Sequence, residues 1–178
     1  MGGISLRINS ILLYMVLMMA AMSTVSCSIV VNEMELNSPE GGSDWVELYN
    51  SGNQTADISG WTITITDGSW VGKITVPQGT ILPAGGFFVG EGNSQWNHDD
   101  GGYVTLRSES GEKVDETPYE KDTLNNDFTW GRHPDGQDTN TDGDWGFAYA
   151  TKGKSNTIGK ARNVVISNQK DNSEGKKA

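Results

Sequence analysis

Apolar and polar residues alternate with a period of two through most of this chain, and no other feature narrows its fold as much. In Trp61-Thr62-Ile63-Thr64-Ile65-Thr66 the bulky apolar side chains fall on one face and every threonine on the other. That is the pattern of an antiparallel strand with one face buried. The same reading predicts strands over residues 29–36, 45–50, 71–76, 87–90, 103–108, 112–115 and 128–132, with another at Trp145. Between them stand Gly41-Gly42, Ser51-Gly52, Asp67-Gly68, Pro83-Ala84-Gly85-Gly86, Gly101-Gly102 and Ser110-Gly111, which supply the breaks and positive φ angles that tight turns need. No later segment carries a helical period. Seven to nine short antiparallel strands in a body of about 125 residues predict an all-β, immunoglobulin-like β-sandwich.

The chain has one cysteine, Cys27, so no intrachain disulfide is available to such a sandwich. Its core must rest on side-chain packing. Trp45, Trp61, Trp130 and Trp145 are the expected anchors, with Val46, Leu48, Ile63, Ile65, Val104 and Leu106 filling the space around them.

The ends differ from the body. Arg7 is the only charge before an unbroken apolar run over residues 11–22, followed by Ser23, Thr24, Val25 and Ser26. This is the length of a signal h-region and short for a bilayer span, so residues 1–27 are expected to export the chain and to be its only contact with a membrane. Three fates stand open. Cleavage leaves Cys27 a bystander; Thr24-Val25-Ser26-Cys27 resembles a bacterial lipobox, apart from Thr24 at its first position, and makes Cys27 a lipid anchor; or the segment is retained uncleaved. All three put residues 28–159, the expected domain, outside the cell.

Residues 28–151 hold 21 Asp and Glu against 5 Lys and Arg, whereas residues 160–178 hold five basic and two acidic side chains. Such an acidic body repels phosphate backbones and lacks the basic stripe interleaved with aromatics that nucleic acid requires. The last segment surrounds Val164-Val165-Ile166 with polar residues and is expected to be a flexible basic tail.

Taken in order, several short motifs are similar to those of the lamin tail domain family: Val31-Asn32-Glu33-Met34-Glu35, Asp44-Trp45-Val46-Glu47-Leu48-Tyr49-Asn50, Asp57-Ile58-Ser59-Gly60-Trp61, Ile81-Leu82-Pro83-Ala84-Gly85-Gly86, Val114-Asp115 and Thr129-Trp130-Gly131-Arg132-His133-Pro134-Asp135-Gly136. The resemblance spans residues 29–156. It implies an immunoglobulin-like sandwich of the kind found in nuclear lamins and in many exported prokaryotic proteins. The rod and nuclear import signal of lamins are missing, so a nuclear role does not carry over. Within these motifs Gly60 suits a sharp turn, and Asp57 an Asx turn onto nearby amides. Glu33 and Glu47 read as solvated surface carboxylates, with pairing to Arg132 as the alternative.

Catalysis finds little support. Cys27 lies at the export junction, and neither His98 nor His133 stands in a motif that pairs it with a serine. The adjacent pairs Asp115-Glu116 and Asp99-Asp100 read as a solvated acidic face, because glycosidic chemistry needs two carboxylates across a cleft. No cofactor is required. One candidate metal site remains: Asp138, Asn140, Asp142 and Asp144, with Gly143, follow the first half of an EF-hand calcium loop. Its twelfth position is Tyr149 instead of Glu, which leaves weak calcium binding or an Asx-rich turn. Asn53-Gln54-Thr55 is a glycosylation sequon at Asn53. Trp70 and Trp96 lie in polar, turn-rich segments and form a candidate ligand surface for stacking on sugars.

The reading is thus a non-catalytic extracellular binding or scaffolding module whose partner is a protein or glycan of the cell envelope. A carbohydrate-binding module is the alternative, and an orphan hydrolase a more distant one.

Overall fold

The computed structural model describes residues 28–39, 42–92 and 101–156. Eleven strands follow in chain order: β1 (Ile29–Glu35), β2 (Trp45–Asn50), β3 (Ala56–Asp57), β4 (Thr62–Asp67), β5 (Trp70–Thr75), β6 (Ile81–Leu82), β7 (Phe87–Glu91), β8 (Gly102–Arg107), β9 (Lys113–Glu116), β10 (Phe128–Arg132) and β11 (Trp145–Tyr149). They form a five-stranded sheet in the order β11-β10-β1-β2-β7, a four-stranded sheet in the order β5-β4-β8-β9 and a small β3-β6 pair. Every pairing is antiparallel. The described residues form an all-β, immunoglobulin-like sandwich. The predicted strands are all present to within about two residues at each end. Added to them are the two-residue strands β3 and β6.

Local sequence accounts for the strands that matter most. In β4, Ile63 and Ile65 are buried and Thr62, Thr64 and Thr66 half-buried. Asp67 and Trp70 then close a hairpin around Gly68-Ser69, with Gly68 at φ 55°. A glycine in the first central place suits the twist of paired strands. Gly60, at φ 71°, makes the expected turn, and the Ser59 amide donates to Asp57 Oδ1 at 2.9 Å.

Between the sheets lie Met34, Val46, Leu48, Ile58, Ile63, Ile65, Val104 and Leu106, all 2% exposed or less. All six expected aliphatic fillers are among the core residues. The tryptophans divide differently from expectation. Trp145 is a buried core residue, while Trp61 and Trp130 are half-buried and pack against the core from its margin. Trp45 is buried but lies on the other face of its sheet. It pairs with Glu35 on β1, whereas its neighbour Val46 pairs with the core residue Met34. Successive strand residues point to opposite faces.

In β1 the register shifts between Val31 and Glu33, so Asn32 bulges out of the ladder. Bulges of this kind re-aim a side chain. Here Asn32 is fully buried and Gly136 donates its amide to Asn32 Oδ1 at 3.0 Å.

Candidate functional site

Three arrangements stand out, and the first lies at the seam between the sheets. Arg132, at the end of β10, is 1% exposed. Its Nε donates to the Val31 carbonyl at 2.8 Å, Nη1 to the Gln137 carbonyl at 2.7 Å and to Asp138 Oδ1 at 3.2 Å, and Nη2 to both oxygens of Asp115 at 3.2 Å. Its guanidinium carbon sits 4.9 Å from the Trp145 ring centre. Asp115 also accepts the Val31 amide at 2.7 Å. Since Asp115 belongs to the four-stranded sheet and Val31 to the five-stranded one, this network ties the layers together. A buried arginine surrounded by carboxylates and carbonyls meets the need of a buried charge for partners. Asp115 is therefore buried and not part of a solvated acidic face, while Glu116 is exposed.

The loop after β10 wraps the same arginine. Asp144, 1% exposed, accepts from Gln137 Nε2 at 2.9 Å, from the Thr139 amide at 2.7 Å and from the Thr139 hydroxyl at 2.8 Å. Burial alone would raise its pKa, but these bonds and a longer one from the Thr141 amide outweigh it and lower the value to about 2. Asp138 holds Arg132 and the Asn140 amide, and Asn140 adopts φ 56°, a conformation asparagine tolerates. Asp142 is exposed. Among the described residues no group of three or more His, Cys, Asp or Glu is placed to hold a metal ion. The four candidate calcium ligands thus share one loop, with two of them engaged by Arg132 or by amides. Beside them opens a polar cleft of about 200 Å³ between this loop and the segment at Glu116, Thr117 and Pro118.

The second arrangement covers the outer face of the five-stranded sheet. Glu33 and Glu47 are direct partners across β1 and β2, and Glu35 follows on the same face. All three are 1% exposed or less. They are neither solvated carboxylates nor partners of Arg132: Gly131 opposes Glu33 in the register, so Arg132 points the other way. What buries Glu33 and Glu47 is the segment after β11. Glu33 accepts from the Thr129 hydroxyl and from the Thr151 amide, and its Oε2 lies 2.9 Å from the Thr151 hydroxyl oxygen. Glu47 accepts from Asn32 Nδ2 and from the Gly153 amide, at 3.0 and 2.7 Å. Lys152 pairs with Glu91 and lies 5.5 Å from the Trp45 ring centre. Burial raises the pKa of Glu33, that of Glu47 to about 7 and that of Glu35 to about 8, with Asp122 and Asp44 adding to the rise at Glu35.

The third arrangement is aromatic. Register pairs Phe128 with Tyr149 and Trp130 with Phe147, so all four rings share one face of the β10–β11 hairpin. Ring centres lie 4.3 Å apart for Phe128 and Tyr149, 5.6 Å for Phe128 and Phe147, and 5.1 Å for Trp130 and Phe147. Trp130 also faces the core, whereas Tyr149 is 61% exposed on β11, the edge strand of the sheet among the described residues.

Of the other expected sites, Asn53 is exposed in the turn after β2. Trp70 is half-buried; its ring folds across Gly72 on its own strand and packs against the core. Trp96, His98, Asp99, Asp100 and Cys27, like the N-terminal segment and the basic tail, lie outside the described residues. The aromatic ladder has a sequence signal of its own, a ring at every second residue in Phe128-Thr129-Trp130 and Phe147-Ala148-Tyr149, beyond the tryptophan anchors expected above. The covered glutamates carry no such signal.

A comparison with curated proteins finds no match. The model of the family described as Lamin Tail Domain matches residues 23–121, a stretch that takes in β1 to β9 and ends before the aromatic hairpin. That is more than half of the chain, laid over an antiparallel sandwich, and the protein belongs to the lamin tail domain family, whose shared domain is an immunoglobulin-like module with no catalytic role of its own.

Proposed function

We propose that this protein is a non-catalytic binding module, exported and held at or near the cell surface, which engages a protein or glycan of the envelope through the β10–β11 hairpin. The observation that carries the reading is the ladder of Phe128, Trp130, Phe147 and Tyr149 running to the edge strand of the sheet among the described residues, with Tyr149 exposed. Each large ring covers roughly 150–250 Å² on burial, and stacked rings offer flat faces to an apolar side chain or a sugar ring. Exposed aromatic surface at an unpaired edge is a usual mark of an interaction site.

Pull-down on envelope fractions and on a panel of insoluble glycans tests this. Retention of the wild type on envelope, lost on Tyr149→Ser and kept by Trp70→Ala, supports the hairpin. Retention on polysaccharide that Trp70→Ala or Trp96→Ala abolishes favours the carbohydrate-binding alternative, and retention on neither overturns both. Export and anchoring have their own readout. Cys27→Ser releases a lipidated form into the medium, leaves a retained anchor in the membrane, and changes nothing for a secreted form.

A further inference from the structure

The segment over the outer face raises a question of hydrogen counting. Thr151 Oγ1 lies 2.9 Å from Glu33 Oε2 and 2.8 Å from Asn156 Oδ1. A hydroxyl has one hydrogen to donate. The Asn156 amide cannot be turned round, because its Nδ2 donates to the carbonyls of Asn32 and Arg132 at 3.0 and 2.8 Å. Its Oδ1 therefore only accepts. With Glu33 ionised, Thr151 serves one neighbour and leaves its oxygen facing another acceptor at hydrogen-bond distance. A proton on Glu33 Oε2 resolves this: Glu33 donates to Thr151, and Thr151 donates to Asn156. Glu33 Oε1 meanwhile accepts from the Thr129 hydroxyl and the Thr151 amide.

We propose that Glu33 carries a structural proton that fastens residues 150–156 to the outer face of the five-stranded sheet, and that loss of this proton releases them, so the segment is a pH-gated latch.

The surroundings agree. Facing Glu33 are Glu47 across from β2, Glu35 along β1, and Thr129 on β10. Asp135 and His133 come from the segment after β10, and Thr151 and Asn156 from the latch. Glu47, Glu35 and Asp135 all oppose a negative charge on Glu33, and burial raises its pKa. Lys152 is turned toward Glu91. The hydrogen bonds at Glu47 call for no proton on it, since Asn32 Nδ2 and the Gly153 amide are both N–H donors. Asn156 has a fitted seat: a Cβ added at Gly131 would lie 2.8 Å from its Nδ2. Release would bare Trp45, Glu33 and Glu47 on the outer face.

Hydrogen exchange of the full chain, followed at the amides of Thr151, Gly153 and Asn156 and corrected for intrinsic rates, tests the latch. Protection should fall at least tenfold between pH 5 and pH 9 while the amides of β4 stay protected. Glu33→Gln should hold the latch closed at every pH, because its amide donates to Thr151 as the neutral acid does. Thr151→Val should open it at every pH. His133→Gln should leave the transition in place, which separates it from a histidine titration. The carboxyl ¹³C shift of Glu33 in the wild type gives a second readout and should titrate together with the loss of protection. Protection that does not vary with pH, opening by Glu33→Gln in a folded chain, or a Glu33 already ionised where the latch is closed would each overturn the proposal.

Discussion

Replacing Arg132 with methionine removes the buried cation of the seam while keeping an apolar stem over Trp145. The guanidinium makes five hydrogen bonds, to two backbone carbonyls and two carboxylates, from a side chain that is 1% exposed. A buried acceptor stripped of its donor costs about 1–3 kcal/mol, and a buried ion pair broken from one side about 3–5 kcal/mol. These overlap, because Asp115 keeps the amides of Val31 and Glu116. The net loss should be about 4 kcal/mol, a large part of the roughly 5–15 kcal/mol that holds a domain together. Equilibrium denaturation in urea measures it, provided the slope of free energy against denaturant is unchanged. Asp115→Asn supplies the second corner of a double-mutant cycle, and the pair should lose less than the sum of the two single variants by about 1 kcal/mol or more. A loss below about 1 kcal/mol for Arg132→Met, or strict additivity with Asp115→Asn, would refute the view that this network joins the sheets.

Stability should depend on pH from both sides. Glu35 and Glu47, with pKa values raised to about 8 and about 7, bind protons more readily in the folded chain. Their contribution is therefore complete below about pH 4.5 and is lost as pH rises through 7 to 8. Asp144, lowered to about 2, contributes above its unfolded value and loses that contribution as pH falls toward 2. Thermal melting should thus peak near pH 5, and a higher melting temperature at pH 8.5 would contradict the burial of the glutamates. Trp61→Ala should cost about 2 kcal/mol, below the 3–5 kcal/mol of a fully buried aromatic, because Trp61 is half-buried. Trp145→Ala should cost more, and the reverse order would misplace the core. The proposal of a weak calcium site at Asp138, Asn140, Asp142 and Asp144 requires a rise of a few degrees at about ten times Kd, lost in Asp138→Ala with Asp142→Ala. Equal melting in calcium and in chelator at matched ionic strength returns the loop to a turn built around Asp144.

Much of the fold was legible because period-two alternation is a local signal. Ile63 and Ile65 announce the inner face of β4 without help from distant residues, and Val46 and Leu48 do the same for β2. Strands β3 and β6 were not legible, since two residues cannot display a period. The departures from expectation at Glu33, Glu47 and Trp45 share one cause. Alternation says which residues lie on the same face, and these three do, but not whether that face is covered. Their cover comes from Thr151, Lys152 and Gly153, more than a hundred residues further along the chain. The pairing of Arg132 with Glu33 or Glu47 failed for want of register, since Gly131 takes the position opposite Glu33. The aromatic hairpin was half legible: β10 was expected in full, and only the partner strand at Trp145 lacked bounds.

The claim that this module binds through its aromatic hairpin is tested most directly by mapping the contact. Titration of the ¹⁵N-labelled protein with a solubilised envelope fraction, read as amide shift changes, should move Phe128 to Trp130 and Phe147 to Tyr149 and leave β4 and β5 unmoved. Changes gathered around Trp70, or a spectrum that no envelope component alters, would contradict it.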